Sequence, residues 1–143
     1  IRDRKTRGRM KIRIIAILSA DGYLLPADVL QARRLPQKYR PDAFREQADL
    51  SLHRDSSLLS LLAERRDSSD TVYSVDATVE TSEFIKGLVR YGLEDEWIVY
   101  ELQEKQKSGI AFSELFRSDN WKIYKQHILS SDTICRIYRR KEV

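Results

Sequence analysis

Few side chains in this sequence have the type and spacing that chemistry requires. The single cysteine, Cys135, lies in an apolar strand-like run with nothing beside it to favour a thiolate, so we interpret it as a small buried side chain. His53 lies in a polar loop and His127 in a predicted strand, and neither adjoins a nucleophile. One cysteine and two distant histidines provide neither a zinc site nor an internal disulfide bond. We therefore expect no metal centre and no reactive thiol.

The positive charge of the chain is concentrated at its start. The 143 residues carry a formal net charge of +4, and five cationic side chains against Asp3 in residues 1–9 account for all of it. Residues 10–143 are therefore neutral and lack the basic surface of a nucleic-acid-binding domain. We expect residues 1–9 to be a disordered arm or a remnant of expression, and residues 10–143 to form one domain. No apolar run is long enough for a membrane span or a secretory signal, which predicts a cytoplasmic protein.

Apolar patterning predicts an α/β fold. The continuous β-branched run 11–19 is typical of a central strand that is buried on both faces. Residues 71–75 and 96–102 are two further strands, and apolar residues at helical spacing predict a helix over 79–91, ended by Gly92. Strand, helix and strand in this order predict a parallel pair with the helix on one face of the sheet.

The two ends of the domain are less regular. Proline residues interrupt the stretch 22–41, where a helix of two turns is predicted over 28–34. Two more helices are predicted to begin after the capping residues Asp42 and Ser56, over 43–52 and 58–66. Strands 121–129 and 133–139 form a hairpin, whose basic end (Arg136, Arg139, Arg140 and Lys141) is expected to guard an edge strand. The fold class is therefore a mixed, mostly parallel sheet flanked by helices, with a C-terminal β-hairpin.

Three clusters of residues resemble one family in their order and spacing. Residues 12–22, IRIIAILSADG, resemble the first strand and Asp-Gly turn of the dihydrofolate-reductase-like fold. Residues 84–100, FIKGLVRYGLEDEWIVY, resemble the helix, turn and strand of the C-terminal reductase domain of bacterial riboflavin biosynthesis proteins. Residues 108–112, SGIAF, resemble the glycine-containing segment that follows in that domain. The resemblance implies NADPH as cofactor and assigns its binding to a set of five residues: Ile17, Asp21, Gly22, Ala77 and Thr78.

The resemblance also nominates one acid. Leu25-Pro26-Ala27-Asp28 is similar to the segment of dihydrofolate reductases whose aspartate holds the pterin ring, so Asp28 is the candidate catalytic residue. That chemistry requires a carboxylate in an apolar, water-poor pocket. The alternative is an ordinary aspartate at a helix N-terminus, where it complements the helix dipole.

The sequence departs from the family where phosphate would bind. The glycine pair expected after the second strand is replaced by Asp76-Ala77-Thr78, and the family's strand with a Gly-Arg-x-Thr segment is not visible between Asp49 and Ser69, which suggests a deletion in the cofactor half. A carboxylate at Asp76 disfavours pyrophosphate near a helix N-terminus, so Asp76→Gly is expected to recover part of any lost NADPH affinity. Thr78 and Thr81 are available to bind an anion, or to act as plain capping residues.

Three functions remain open at this stage. One is an NADPH-dependent reductase of a pterin or a ribosylamino-pyrimidine-like substrate, which rests on analogy. The second is a catalytically silent domain of the same fold, kept for binding a small molecule or for forming a homodimer, and the missing glycines favour it. A nucleic-acid accessory protein that uses the basic tail is the weakest of the three, because the rest of the chain is neutral.

Overall fold

The computed structural model describes residues 9–67 and 69–141, so residues 1–8 of the predicted tail lie outside the described residues. The strands, in chain order, are β1 (Lys11–Leu18), β2 (Leu50–Ser51), β3 (Val72–Ala77), β4 (Glu96–Leu102), β5 (Trp121–Ser130) and β6 (Thr133–Arg140). The α-helices are α1 (Pro41–Glu46), α2 (Leu58–Arg66) and α3 (Ser82–Arg90), and single 3₁₀ turns lie at Gln37–Tyr39, Phe112–Glu114 and Ser118–Asn120.

The six strands form one sheet in the order β2-β3-β1-β4-β6-β5. β1 lies between β3 and β4 and pairs in parallel with both, as its continuous apolar run predicts. β6 is antiparallel to β4, and β5 is antiparallel to β6. The prediction of a mixed, mostly parallel sheet with a closing hairpin is therefore confirmed. The expectation that the basic end of β6 guards an edge is wrong, since β5 pairs with its outer side.

The strand–helix–strand unit from β3 to β4 is confirmed, with a later helix start than predicted. α3 begins at Ser82, and residues 79–81 form the turn before it. Gly92 ends the helix in the left-handed region, with φ of 62°. The amide of Gly92 donates to the Val89 carbonyl, and that of Leu93 donates to the Leu88 carbonyl, at 3.1 and 2.9 Å. This pattern is a Schellman motif, which satisfies carbonyls that the helix end would otherwise leave unpaired.

The first half of the chain differs from the prediction in its boundaries. The helix predicted over 43–52 is α1, which begins at Pro41 because proline suits the first turn and Arg40, not Asp42, is the capping position. It stops at Glu46, and the remainder supplies β2, a strand that the sequence analysis missed. Ser57 rather than Ser56 caps α2, where its hydroxyl accepts the Ser60 amide at 3.1 Å.

The helix predicted over 28–34 is absent. That segment forms successive turns, closed by hydrogen bonds such as the one from the Gln31 amide to the Asp28 carbonyl at 3.0 Å. Pro36 follows closely and disfavours helical backbone in the residue before it, so the segment lacks the length for a stable helix.

The sheet carries a hydrophobic layer on each face. Helices α2 and α3 cover one face, where Ile85 and Leu88 are fully buried against β1 and β4. Helix α1 and the loop after β1 cover the other face, where Leu30 and Phe44 pack against Ile98. Both faces of β1 are thus removed from water, which explains its unbroken apolar sequence. In the described part of the chain, no helix has the length and apolar character to cross a membrane.

Leu88→Ala is expected to lower the free energy of unfolding by about 2 to 5 kcal/mol, because it leaves a cavity in a fully buried layer. Urea denaturation followed by circular dichroism measures this change. Leu59→Ala is the matched control, since Leu59 is 79% exposed on α2 and its truncation should change stability little. Equal effects of the two substitutions would contradict the packing described for α3.

Candidate ligand-binding cleft

The loops at the carboxyl ends of the parallel strands enclose a cleft. The chain leaves β1 toward the face covered by α1, whereas it leaves the neighbouring β3 toward the face covered by α3. Two adjacent strands whose connections part in this way leave a crevice between their carboxyl ends, where ligands bind in open α/β sheets. This crevice is therefore the first place to look for a functional site.

Two adjoining cavities make up the cleft. The larger, of about 520 Å³, lies between residues 24–28 after β1, residues 78–80 after β3, and Gln106 after β4. The smaller, of about 410 Å³, extends toward residues 52–55 after β2. Ala27, Thr78 and Glu80 line both cavities. A volume of this size suits a small molecule.

The Asp-Gly turn after β1 is held by its own carboxylate. Asp21 accepts hydrogen bonds from the Ser19 hydroxyl at 2.5 Å and from the amides of Gln106 and Lys107 at 3.0 and 2.9 Å. These bonds lower the pKa of Asp21 from 3.8 to about 2, with the Ser19 bond as the largest cause. Gly22 follows with φ of 86°, a left-handed conformation that favours glycine. Asp21 therefore joins the loops after β1 and β4, and its oxygen atoms are engaged within the protein.

The other residues nominated from the sequence divide between the cleft wall and the core. Asp28 and Thr78 line the larger cavity. Ile17 and Ala77 are buried, each 2% exposed, in the layers on opposite faces of the sheet. Asp28 is exposed, so the water-poor pocket that its proposed proton chemistry requires is not formed around it.

The turn into α3 uses its polar groups internally. The Thr78 amide donates to the Thr81 hydroxyl at 3.0 Å, and the Thr81 amide donates to the Thr78 hydroxyl at 3.3 Å. The Thr81 hydroxyl also donates to the Asp76 carbonyl at 2.5 Å. These amides belong to the turn that precedes the helix, where a phosphate would seek them. Thr78 and Thr81 thus hydrogen-bond each other within the turn, and the Thr81 side chain, although at the N-cap position, makes no capping hydrogen bond to the first amides of α3.

Asp76 lines the smaller cavity, but its charge is compensated. Its carboxylate accepts from the Arg45 guanidinium of α1 at 2.9 Å, and the same guanidinium contacts Asp42 at 2.6 Å. The side chain points to the face of α1, because Val75 and Ala77 on either side of it are buried against the α3 face. Asp76 therefore repels an anion less than the sequence analysis assumes.

Glu80 is the acidic residue that the sequence analysis missed. It is exposed, lines both cavities and follows Thr78 in the same turn. Its position two residues after a predicted site residue was the available signal. Together with Asp28 it gives the mouth of the larger cavity two carboxylates. Within residues 9–67 and 69–141, no cluster of three or more His, Cys, Asp or Glu side chains is placed to hold a metal ion.

Cys135 and His127 lie away from the cleft, whereas His53 borders it. Cys135 is fully buried in β6, and burial raises the pKa of its thiol to about 12, which agrees with an inert side chain. His127 is partly buried on β5 and stacks on Tyr39, with 4.0 Å between the ring centroids. His53 lines the smaller cavity as an exposed loop residue.

Comparison with solved structures shows that the chain has a dihydrofolate-reductase-like fold. The sequence itself matches no protein-family model and no curated protein.

Three solved structures illustrate the likeness. A protein assigned to riboflavin biosynthesis from Shewanella sp. PV-4 has a TM-score of 0.65 and 15% identity, over 93% of this chain and 100% of that chain. Dihydrofolate reductase from Enterococcus faecalis, complexed with NADP(H) and RAB-propyl, has a TM-score of 0.61 and 15% identity, over 95% of this chain and 98% of that chain. The third is a diaminohydroxyphosphoribosylaminopyrimidine deaminase/5-amino-6-(5-phosphoribosylamino)uracil reductase from Thermotoga maritima. It has a TM-score of 0.61 and 10% identity, over 93% of this chain and 57% of that chain.

Asp21→Asn is expected to destabilise the protein at neutral pH and to have progressively less effect in acid. A pKa lowered on folding stabilises the folded state above pH 4, and this contribution is lost as the pH falls toward about 2. The difference in Tm between the variant and the unaltered protein should therefore shrink between about pH 4 and pH 2. Asp67→Asn, an exposed position outside the cleft, is the control. A Tm difference that stays constant through this range would contradict the assigned role of Asp21.

Proposed function

We propose that this domain binds a small organic cation in the cleft without NADPH, as a catalytically silent relative of the reductases whose fold it shares. The observation that carries the proposal is the charge of the larger cavity. Asp28 and Glu80 line it, and none of its described lining residues is cationic. A cavity of this charge attracts an amine or a protonated amino-heterocycle and repels phosphate groups.

The rest of the cleft offers little to a dinucleotide. The smaller cavity has one arginine among its described lining residues, Arg54, which lies 3.8 Å from Asp55, and it also holds Glu80 and the compensated Asp76. Pyrophosphate binding uses free amides, close glycine backbone and cationic side chains. The glycine pair expected from the family resemblance is replaced by Asp76-Ala77-Thr78, and the amides of Thr78 and Thr81 are already paired within the turn. We estimate that these departures weaken NADPH binding by roughly 30- to 1,000-fold.

The lining of the larger cavity suits an apolar body with a charged group at one side. Leu24, Leu25 and Val79 supply apolar surface, and the two carboxylates supply acceptors for an amidine or amine. In this proposal Asp28 binds the ligand by a charge-assisted hydrogen bond and does not deliver a proton, since it is exposed to water.

An NADPH-dependent reductase of a pterin or ribosylamino-pyrimidine-like substrate is the second candidate function. One observation favours it: Asp28 lines the larger cavity of the cleft. The fold around this cleft is shared with a dihydrofolate reductase that is complexed with NADP(H). The charge of the cleft disfavours it, so we place it second.

A homodimer built on the sheet edge is a less favoured form of the silent-domain proposal. β5 is the outer strand, and its exposed apolar residues Ile123 and Ile128 would suit a partner. The same strand presents Lys122 and Lys125, and lysine residues on an edge strand oppose strand pairing between copies. We therefore assign the proposed function to the cleft and not to the sheet edge.

Calorimetric titration with NADPH at micromolar concentrations is expected to show no binding to the unaltered protein. Glu80→Gln should recover part of the affinity, because it removes from both cavities a carboxylate that has no ion-pair partner among the described residues. Glu83→Gln is the matched control, since Glu83 is an exposed carboxylate on α3 whose partner is Lys86 at 3.3 Å. Asp76→Gly would also free Arg45, so its effect combines two changes. Tight NADPH binding by the unaltered protein would restore the reductase hypothesis.

Titration with 2,4-diaminopyrimidine tests the ligand class directly. We expect binding that weakens at least tenfold in Asp28→Asn, because the substitution keeps the shape of the side chain and removes its charge. Asp67→Asn should leave the affinity unchanged. Equal affinity in Asp28→Asn and the unaltered protein would exclude Asp28 as the binding residue, and absence of any binding would overturn the organic-cation proposal.

A further inference from the structure

A second concave surface lies at the other end of α3 from the cleft. Its volume is about 640 Å³, and it is bordered by the last turns of α3, the loop before β5 and the end of β6. We call it the arginine groove, defined by Arg90, Tyr91, Arg117, Trp121 and Arg140. Its location at the amino ends of the parallel strands separates it from the cleft.

The acidic residues of the groove already have partners. Glu94 is buried and pairs with the Arg140 guanidinium at 2.8 Å. Glu114 accepts the Ala111 amide at 3.1 Å and lies 3.9 Å from Lys86. The charge of Glu94 is therefore compensated within the protein, whereas Glu114 shares Lys86 with Glu83 and is compensated only in part.

Arg90 and Arg117, unlike the acidic residues of the groove, have no ion-pair partner in the described chain. Both are exposed, they come from separate segments, and neither lies within ion-pair distance of a carboxylate in the described chain. Arginine offers several N–H donors in a planar arrangement that matches phosphate and carboxylate oxygen atoms. The two guanidinium groups thus give the groove positive charge and N–H donors that pair with no carboxylate in the described chain.

The end of α3 adds little opposing charge. A helix C-terminus usually disfavours anions because its last carbonyls are unpaired. Here the carbonyls of Gly87, Leu88 and Val89 accept the amides of Tyr91, Leu93 and Gly92 at 2.9 to 3.2 Å. Three of the carbonyl oxygen atoms at this helix end are therefore already hydrogen-bonded, which reduces their repulsion of an anion.

Two aromatic rings border the groove. The Arg140 guanidinium lies over the Trp121 ring, 4.8 Å from its centroid, so that this face is occupied. Tyr91 is 53% exposed, next in sequence to Arg90. A planar ligand group can stack on the exposed Tyr91 ring while its anion contacts the neighbouring guanidinium.

We propose that the arginine groove binds a phosphomonoester carried on an aromatic ring. Arg90 and Arg117 bind the phosphate, and Tyr91 supports the ring. The volume is within the range of small-molecule sites, and the exposed charges predict an affinity that falls as the salt concentration rises.

Titration of ¹⁵N-labelled protein with phenyl phosphate tests the proposal by nuclear magnetic resonance. We expect saturable shifts of the amide signals of residues 86–92 and 117–121, weaker binding of inorganic phosphate, and no shifts with phenol. Arg90→Gln with Arg117→Gln should weaken phenyl phosphate binding at least tenfold. Arg66→Gln is the control, because Arg66 is an exposed arginine on α2 outside the groove.

The outcomes separate the parts of the proposal. Unchanged affinity in the double variant, with an unchanged Tm, would overturn the phosphate site. Equal affinity for phenyl phosphate and inorganic phosphate would overturn the role of the aromatic ring. Glu80→Gln changes the cleft and not the arginine groove, so it should leave the amide shifts caused by phenyl phosphate unchanged. A failure of the proposed cleft function can therefore be distinguished from a failure of the arginine groove.

Discussion

Three consecutive carboxylates, Glu94, Asp95 and Glu96, hold the amino ends of the strands together. Their partners come from elements on every side of β4: Arg140 with Glu94; Arg65 and the Ile12 amide with Asp95; Arg13 and Arg139 with Glu96. Glu94 and Glu96 are 3% and 4% exposed, so their charges depend on these partners and not on water. Removing one member of a buried ion pair leaves an uncompensated charge, which costs about 3 to 5 kcal/mol.

Because of this cluster, the amino ends and the carboxyl ends of the strands are held by different kinds of contact. At the amino ends, charged side chains between β1, β4 and β6 fix the alignment of the strands. At the carboxyl ends, Asp21 makes the corresponding link between loops, and it does so through backbone amides. The strand ends between these loops remain open, which is why the cleft lies there. The order of the strands thus determines where a ligand can enter, while individual loop residues determine its charge.

The parts of the fold that could be predicted from the sequence are those with strong periodicity. β1, α3 and the C-terminal hairpin each have an apolar pattern that admits one interpretation, and the structure confirms them. β2 has two residues, both exposed, so no pattern could reveal it. Of the residues nominated from the sequence, Asp28 and Thr78 line the cleft, but the charge of the cleft could not be predicted, because ion pairing depends on tertiary contacts. The partner of Asp76 is Arg45, 31 residues earlier in the chain, and no local spacing connects them.

The central position of β1 also affects how the protein is made. β1 is synthesised before both of its partners, which begin only at Val72 and Glu96. Until β3 has been synthesised, both edges of this eight-residue apolar strand lack their partners, and one edge remains unpaired until β4 follows. Strands in this state associate readily with other chains. The sheet order that gives the domain its cleft therefore delays the burial of this apolar strand until β4 has been synthesised.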